Sequence, residues 1–438
     1  MISTPVWDFV ENYRAGKPAR FHMPGHKGHG ALGCEAWDIT EITGADDLFH
    51  AEGIIKESEE NASRLFGWPT VYSAEGSSLC IRAMLHLAYT AAGCRGAVLA
   101  GRNAHKSFLN TAILLDFPIR WLWAGEDYLS CPITAEQVEA AIREEPEAPC
   151  AVYLTSPDYL GNVADIAGIA KVCRRYHVPL LVDNAHGAYL KYLPQSRHPM
   201  DLGADMCCDS AHKTLPVLTG GAYLHLRQSS QIGEAKQAMA LFASTSPSYL
   251  ILQSLDLANP YMELLPEKLR TFLPEVQALR RRLEAKGYTF AGNEPLKLTL
   301  TPRGYGYTGT QIGKKLEEKG IFCEFQDDGH IVFLLSAENT REDLQNLAEA
   351  LEEIPPAQAI REDRTVWDKP VVRMSPRQAA FAPHENLNTR QCAGRILATA
   401  NVSCPPAVPL VMCGEEIPES LIPQLLACGG EKLTVVKD

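Results

Sequence analysis

Four short stretches hold the residues whose types could do chemistry, and each follows an apolar run. "SAEGSS" (73–78) puts Gly76, Ser77 and Ser78 where a strand gives way to a helix. Free N–H groups and the helix dipole at such a point favour a phosphate, although hydroxyls there also serve as plain N-caps. "GRNAHKS" (101–107) puts His105 and Lys106 at another helix start, where a histidine is as readily structural as catalytic. "DNAHG" (183–187) ends an apolar strand with Asp183 and carries His186, and a buried acid is costly unless it has a partner. "DSAHKTLP" (209–216) sets Ser210, His212 and Lys213 between apolar segments, where an ammonium is expensive without a task. Together these are a phosphate cup, a histidine, a buried acid and a buried lysine. That is the inventory for pyridoxal 5'-phosphate (PLP): a Schiff-base lysine, an acid for the ring nitrogen and phosphate donors.

The elements that must position them are legible from periodicity. "TVYSAEG", "GAVLAG", "RWLWAG", "CAVYLTSP" and "PLLVDNAHG" read as strands, alternating with helical stretches such as "SSLCIRAMLHLAYTAAG". The helix "TAEQVEAAIREE" opens with a Thr134–Gln137 capping box. Near-continuous apolar strands fit a sheet covered by helices on both faces. The expected fold class is therefore α/β with a mostly parallel sheet, its ligand beyond the carboxyl ends of the strands. After the long amphipathic "PEKLRTFLPEVQALRRRLEAKG" the order becomes β-α-β-β-α, a small α+β layer unit. The expected division is an N-terminal arm over 1–50, a large α/β domain over 51–285 and a small C-terminal α+β domain over 286–438.

Composition narrows the class further. A chain of 438 residues is long enough for two cores. With a net charge of −12 and no Lys/Arg cluster, it suits neither nucleic acid nor an anionic membrane. Thirteen cysteines without one CxxC pair read as reduced thiols rather than a disulfide or zinc framework. The opening "MISTPVWDFVENYRAGK" lacks the basic start and apolar run of a signal peptide, and no stretch reaches the ~20 apolar residues of a membrane span. The expectation is a soluble cytoplasmic protein acting on a small molecule.

One further stretch, "FHMPGHKGHG" (21–30), interleaves three histidines and a lysine with glycines and a proline. Pro24-Gly25, Gly28 and Gly30 argue against the helix that would aim the histidines at one zinc ion. A surface loop without a role stays open. The favoured reading is a glycine-flexed arm near the site, carrying His26 and Lys27, with no metal.

The chain resembles a known family, the ornithine/lysine/arginine decarboxylases of PLP fold type I. "FHMPGHKG", "TEITGADDL", "GRNAHKS", "TSPDYLG", "LLVDNAHGA" and "SAHKTLPVLTGGAYLH" carry the likeness in order from about residue 20 to 225, and "APHE…GRI…PPAVPL…GEEI" is a weaker echo. The resemblance implies a fold type I (aspartate aminotransferase-like) large domain plus a small C-terminal domain, and a short, biosynthetic-type member. It implies Lys213 as the Schiff-base lysine, Asp183 on the ring nitrogen, His105 stacked on the ring and His186 in support. Gly76, Ser77, Ser78, Ser210 and His212 would hold the phosphate, with Tyr159 near the ring. It also implies a homodimer or larger assembly with sites at the interface, and decarboxylation of lysine, ornithine or arginine on the way to polyamines.

For the cationic end of such a substrate the acids on offer are Asp46, Asp47, Glu415 and Glu416, with His26 nearby; solvated surface charge is the plain alternative. The family usually has Glu after the aspartate where Asn184 stands here, Asn where Glu75 stands, and PPG and PGE where "PPAVPLVMCGEE" stands. Two rivals remain at this level. One is an aminotransferase or other PLP lyase on the same fold, with Arg373 or Arg377 gripping the α-carboxylate. The other is a catalytically silent homologue with a binding role, against which an intact Lys213, Asp183 and His105 argue.

Overall fold

The computed structural model describes residues 2–123, 130–361, 368–400, 408–427 and 430–437. Helices α1 (Pro5–Ala15) and α2 (Ile54–Phe66) precede β1 (Thr70–Ser73) and α3 (Gly76–Ala91). Then β2 (Val98–Gly101), α4 (Lys106–Leu115), β3 (Ile119–Leu122), α5 (Ala135–Glu144), β4 (Ala151–Thr155), α6 (Ile166–Tyr176) and β5 (Leu180–Asp183) alternate as expected. Short α7 (Pro199–Leu202) leads to β6 (Met206–Asp209), the single turn α8 (Ala211–Thr214) and β7 (Ala222–Leu226). These seven strands form one mixed, mostly parallel sheet in the order β1-β7-β6-β5-β4-β2-β3, with β7 antiparallel to both β1 and β6.

The strands β1, β2, β5, β6 and β7 are buried at every residue. That is why their sequences are apolar runs and not alternations. The Thr134–Gln137 capping box forms at α5. With the short strand β8 (Phe290–Ala291) added ahead of it, the later part of the chain keeps the expected β-α-β-β-α order from β9 (Lys297–Leu300) through α11 (Gly309–Glu317), β10 (Phe325–Gln326), β11 (Ile331–Leu334) and α12 (Arg341–Glu352). Its antiparallel sheet runs β10-β11-β9-β8.

Two features differ from expectation. The helix foreseen from residue 266 begins much earlier: α10 runs Tyr249–Lys286, 38 residues, through Pro260, Pro266 and Pro274. Each interior proline costs about 3 kcal/mol, offset here by a buried stripe of Leu252, Leu255, Ala258, Met262, Leu265 and Leu269. The compact units are also not consecutive in sequence. One comprises residues 1–95, 149–153 and 166–268; the other comprises 96–148, 154–165 and 269–438. The chain changes unit within α10 and not at 285–286, and the 1–50 segment belongs to the first unit. Among the described residues no helix is long and apolar enough to cross a membrane.

Neighbouring leucines on α10 test the packing. Leu265 is 1% exposed and Leu264 60% exposed. Leu265→Ala is expected to cost about 3 kcal/mol, and Leu264→Ala less than about 0.5 kcal/mol, by urea unfolding.

Candidate functional site

In the first unit the chemistry gathers where β5 and β6 end. Asp183 is the last residue of β5, level with Cys208 of β6, and is 2% exposed. Its carboxylate accepts from the Tyr153 hydroxyl (3.2 Å), the Ala185 N–H (3.2 Å) and the Cys208 thiol (3.7 Å). Burial, followed by the Asp183 charge, drives the Cys208 pKa well up, so the thiol stays protonated as a donor. All three partners are neutral. Tyr153, in the middle of "CAVYLT", was not singled out from the sequence; its only signal there is a hydroxyl in a buried strand.

The turn after Asp183 carries His186, and Gly187 N–H closes it on Asn184 O at 2.8 Å. A Cβ at Gly187 would lie 2.0 Å from Asn184 Oδ1, so glycine is what lets that amide fold over the turn. His186 Nε2 meets Lys213 Nζ at 3.0 Å. Lys213 sits on α8, whose backbone turns sharply enough for Lys213 N–H to reach Ser210 O at 3.1 Å.

The glycine and serines at the start of α3 meet the end of β6. Gly76 opens α3 with φ +71°, a left-handed conformation that favours glycine, and its N–H bonds Gly220 O at 2.6 Å. Ser210 Oγ donates to Ser77 Oγ at 2.9 Å, which brings the ends of β1 and β6 together. His212 Nδ1 bonds Gly221 O at 3.0 Å, leaving Nε2 as the ring's other polar atom. Glu75 turns aside and accepts the Ser244 N–H at 2.7 Å, away from the cup.

His105 belongs to the second unit. There it caps α4, its Nδ1 facing the Ser107 N–H and hydroxyl, with its side chain exposed. In the same unit Tyr159 donates to Glu324 at 3.1 Å, and burial with that neighbouring acid raises its phenol pKa.

The acids named for a cationic substrate are otherwise engaged. Glu415 is 1% exposed and forms a two-pronged pair with fully buried Arg102, at 2.5 and 2.7 Å, while also taking the Met412 N–H. Arg102 is held further by Pro409 O and Leu410 O and by the faces of Trp121 and Trp123. This is a structural ion pair, and no oxygen of Glu415 is left for substrate. Asp46 accepts backbone N–H groups from Asp47, Glu52, Gly53, Ile55 and Lys56, so it caps α2. Burial pulls its pKa up, but those N–H groups outweigh it and the net shift is down. Asp47 takes the Phe49 and His50 N–H groups at an exposed turn. Glu416 pairs with Arg373 at 2.6 Å, and Arg377 donates to Ile113 O and Leu114 O, so neither arginine stands ready for a carboxylate. His26 bonds Asp38 at 3.2 Å while His22 bonds Tyr13, so the histidines of the opening stretch take separate partners. Pro405 and Pro406 of the C-terminal echo lie outside the described residues.

The family model described as Orn/Lys/Arg decarboxylase, major domain, matches residues 4–299, more than half of the chain. The chain belongs to that family. It is a PLP-dependent amino-acid decarboxylase. The chain is 30% identical to the uncharacterized protein YaaO of Bacillus subtilis, over 97% of this chain and 94% of that one. An arginine decarboxylase of the same organism is 28% identical over 96% and 92% of the two chains. The constitutive lysine decarboxylase of Escherichia coli shares the fold with TM-score 0.79 at 19% identity, covering all of this chain and 82% of that one. An archaeal O-phosphoseryl-tRNA(Sec) selenium transferase shares it more loosely, at TM-score 0.60.

The residues present fit PLP on their own chemistry. Asp183 is a buried carboxylate with neutral donors only, and a protonated ring nitrogen would supply the cation its burial calls for. Ser77 and Ser78 lie in the first turn of α3 and Ser210 donates to Ser77, a place suited to a phosphate.

Two variants separate structural acids from substrate acids. Glu415→Gln leaves Arg102 buried without its counter-charge and should cost about 3 kcal/mol, with KM for any amine substrate unchanged in the folded fraction. Asp46 has a depressed pKa, so its stabilisation is present above the ordinary carboxylate value and is lost as pH falls through the lower folded value. Asp46→Asn should cost about 1 kcal/mol near neutrality, and thermal melts should converge with wild type as pH falls through the lowered folded value.

Proposed function

We propose that this enzyme removes the α-carboxylate of a basic amino acid, with Lys213 as the lysine that carries PLP. The observation that carries the reading is the 3.0 Å contact of Lys213 Nζ with His186 Nε2, on the turn that starts at buried Asp183. Bound PLP supplies an electron sink that lets a Cα–carboxylate bond break heterolytically. The rest falls to the chain. Asp183 holds the proton on the ring nitrogen, and its own burial strengthens that interaction. His186 steadies the Lys213 amine and exchanges a proton with Nζ. Lys213 Nζ then delivers a proton to the substrate Cα as general acid. Ser77, Ser78, Ser210, His212 and the Gly76 turn hold the phosphate.

Near-full-length likeness to arginine decarboxylases makes arginine the first substrate of choice, with lysine and ornithine behind it. The amine product is of the class that polyamine synthesis consumes, in the cytoplasm. We further infer a homodimer or larger assembly. Phe21 and Leu32 in the 1–50 segment are 95% and 86% exposed, more apolar surface than a lone subunit favours.

Incubating the PLP-loaded protein with arginine, lysine, ornithine and neutral amino acids, and measuring CO2 with the matching amine, tests the reading. Release from one basic amino acid, abolished in Lys213→Ala together with the cofactor's absorption band, is the expected result. CO2 from neutral amino acids alone would overturn the substrate class. Sedimentation of the same sample should give at least two chains per particle.

A further inference from the structure

A second buried carboxylate lies one strand end away, on the other face of the sheet. Asp209 is the last residue of β6 and is fully buried. Side chains alternate along a strand, so Asp209 points away from Cys208 and from Asp183, which is level with Cys208. It shares its face with Cys207, Tyr223 and His225, the residues opposite each other on β6 and β7. Asp209 Oδ1 accepts from Asn184 Nδ2 at 2.7 Å; Oδ2 meets His225 Nε2 at 3.0 Å and His198 Nε2 at 3.1 Å. Phe66, Tyr192 and Tyr223 wall the cluster in, and His198 meets His225 edge to face.

The hydrogen bonds fix where the His198 proton lies. His198 Nδ1 accepts the Met200 N–H, so this ring is neutral and its Nε2–H donates to Asp209. His225 Nδ1 pairs with the Thr70 hydroxyl at 2.8 Å, and its Nε2 faces a carboxylate that also meets Asn184, His198 and the Cys207 thiol. Burial works to raise the Asp209 pKa, but the His198 and His225 rings outweigh it and hold the carboxyl below its ordinary range. Burial, the largest influence, pushes the His225 pKa down on balance, against the opposing pull of the Asp209 charge. The other polar groups facing the cluster are the Tyr223 and Tyr192 hydroxyls, the Cys207 thiol and the Lys191 ammonium.

We propose that Asp209 is a positioning residue, a buried hydrogen-bonding hub that fixes, from the rear of the sheet, the two turns carrying Asp183, His186 and Lys213. The link is short on both sides. Asn184 follows Asp183 and closes the turn that carries His186, so its bond to Asp209 sets that turn. Ser210 follows Asp209 and accepts the Lys213 N–H, so the same anchor sets α8. An ionised glutamate at position 184 could not donate to Asp209, which gives the family departure at Asn184 a physical meaning. The inference rests on Lys213 as the cofactor lysine, and Lys213→Ala tests that separately, since it abolishes the cofactor band whatever Asp209 does.

Two measurements on the PLP-loaded full chain test the hub. In 15N-histidine-labelled protein the His198 ring should carry its proton on Nε2, facing Asp209, with Nδ1 as the acceptor. A His198 ring with its proton on Nδ1 would overturn the hub's bonding. In Asp209→Asn, which keeps shape and loses charge, the pH midpoint of the cofactor band should move and kcat should fall about 100-fold with KM little changed. Exchanging the two groups (Asn184→Asp with Asp209→Asn) preserves an amide-to-carboxylate bond and should regain about tenfold over Asn184→Asp alone. A purely structural Asp209 would lower Tm while leaving kcat per folded molecule and the band's midpoint at wild-type values, and that result would sink the proposal. Should Asp209→Asn not fold, His225→Gln retains a donor to Asp209 and carries the same two readouts.

Discussion

The site depends on keeping the Asp183 carboxylate ionised and dry at the end of β5. An isolated buried carboxylate costs several kcal/mol even after relaxation. The sheet answers part of that cost with the Tyr153 hydroxyl, the Ala185 N–H and a thiol whose pKa burial has raised. These donors solvate the charge without cancelling it. Among the described residues these three donors are all neutral, and a protonated ring nitrogen is a cation that PLP would bring. The same constraint explains the surroundings: every residue of β5 and β6 is buried, so the carboxylate cannot relax toward water.

Much of this was legible in the sequence because it is local. Apolar runs of four or five residues marked the strands of the large sheet, and the candidate residues just after them gather where β5 and β6 end. The Thr134–Gln137 box rests on spacing alone and appears as read, and the β-α-β-β-α order of the later segment appears from β9 onward, with short β8 ahead of it. The start of α10 was not legible, because three prolines argue locally against a helix that buried leucines sustain.

The misread acids share one cause. Glu415 looked like a surface or substrate carboxylate because its partner Arg102 is 313 residues away. Asp46 looked available because its partners are backbone N–H groups of the next helix start, which no side-chain pattern announces. A charge in a sequence declares a need for compensation, and whether protein or ligand meets that need is decided in three dimensions. Arg102 itself, in the middle of "GRNAHKS", lent the motif part of its character while serving the fold of the second unit.

The "DSAHK" string shows the same principle at one strand end. Ser210, His212 and Lys213 lie on the turn that faces the site, so a search for cofactor residues finds them. Asp209, one residue earlier, is still in β6, and alternation sends it to the opposite face. There it meets Asn184, which alternation likewise sends away from Asp183. Two adjacent strands thus end in the same arrangement, one residue toward the ligand and its neighbour toward the rear anchor. Such a motif is long because it must satisfy both faces of the sheet at once.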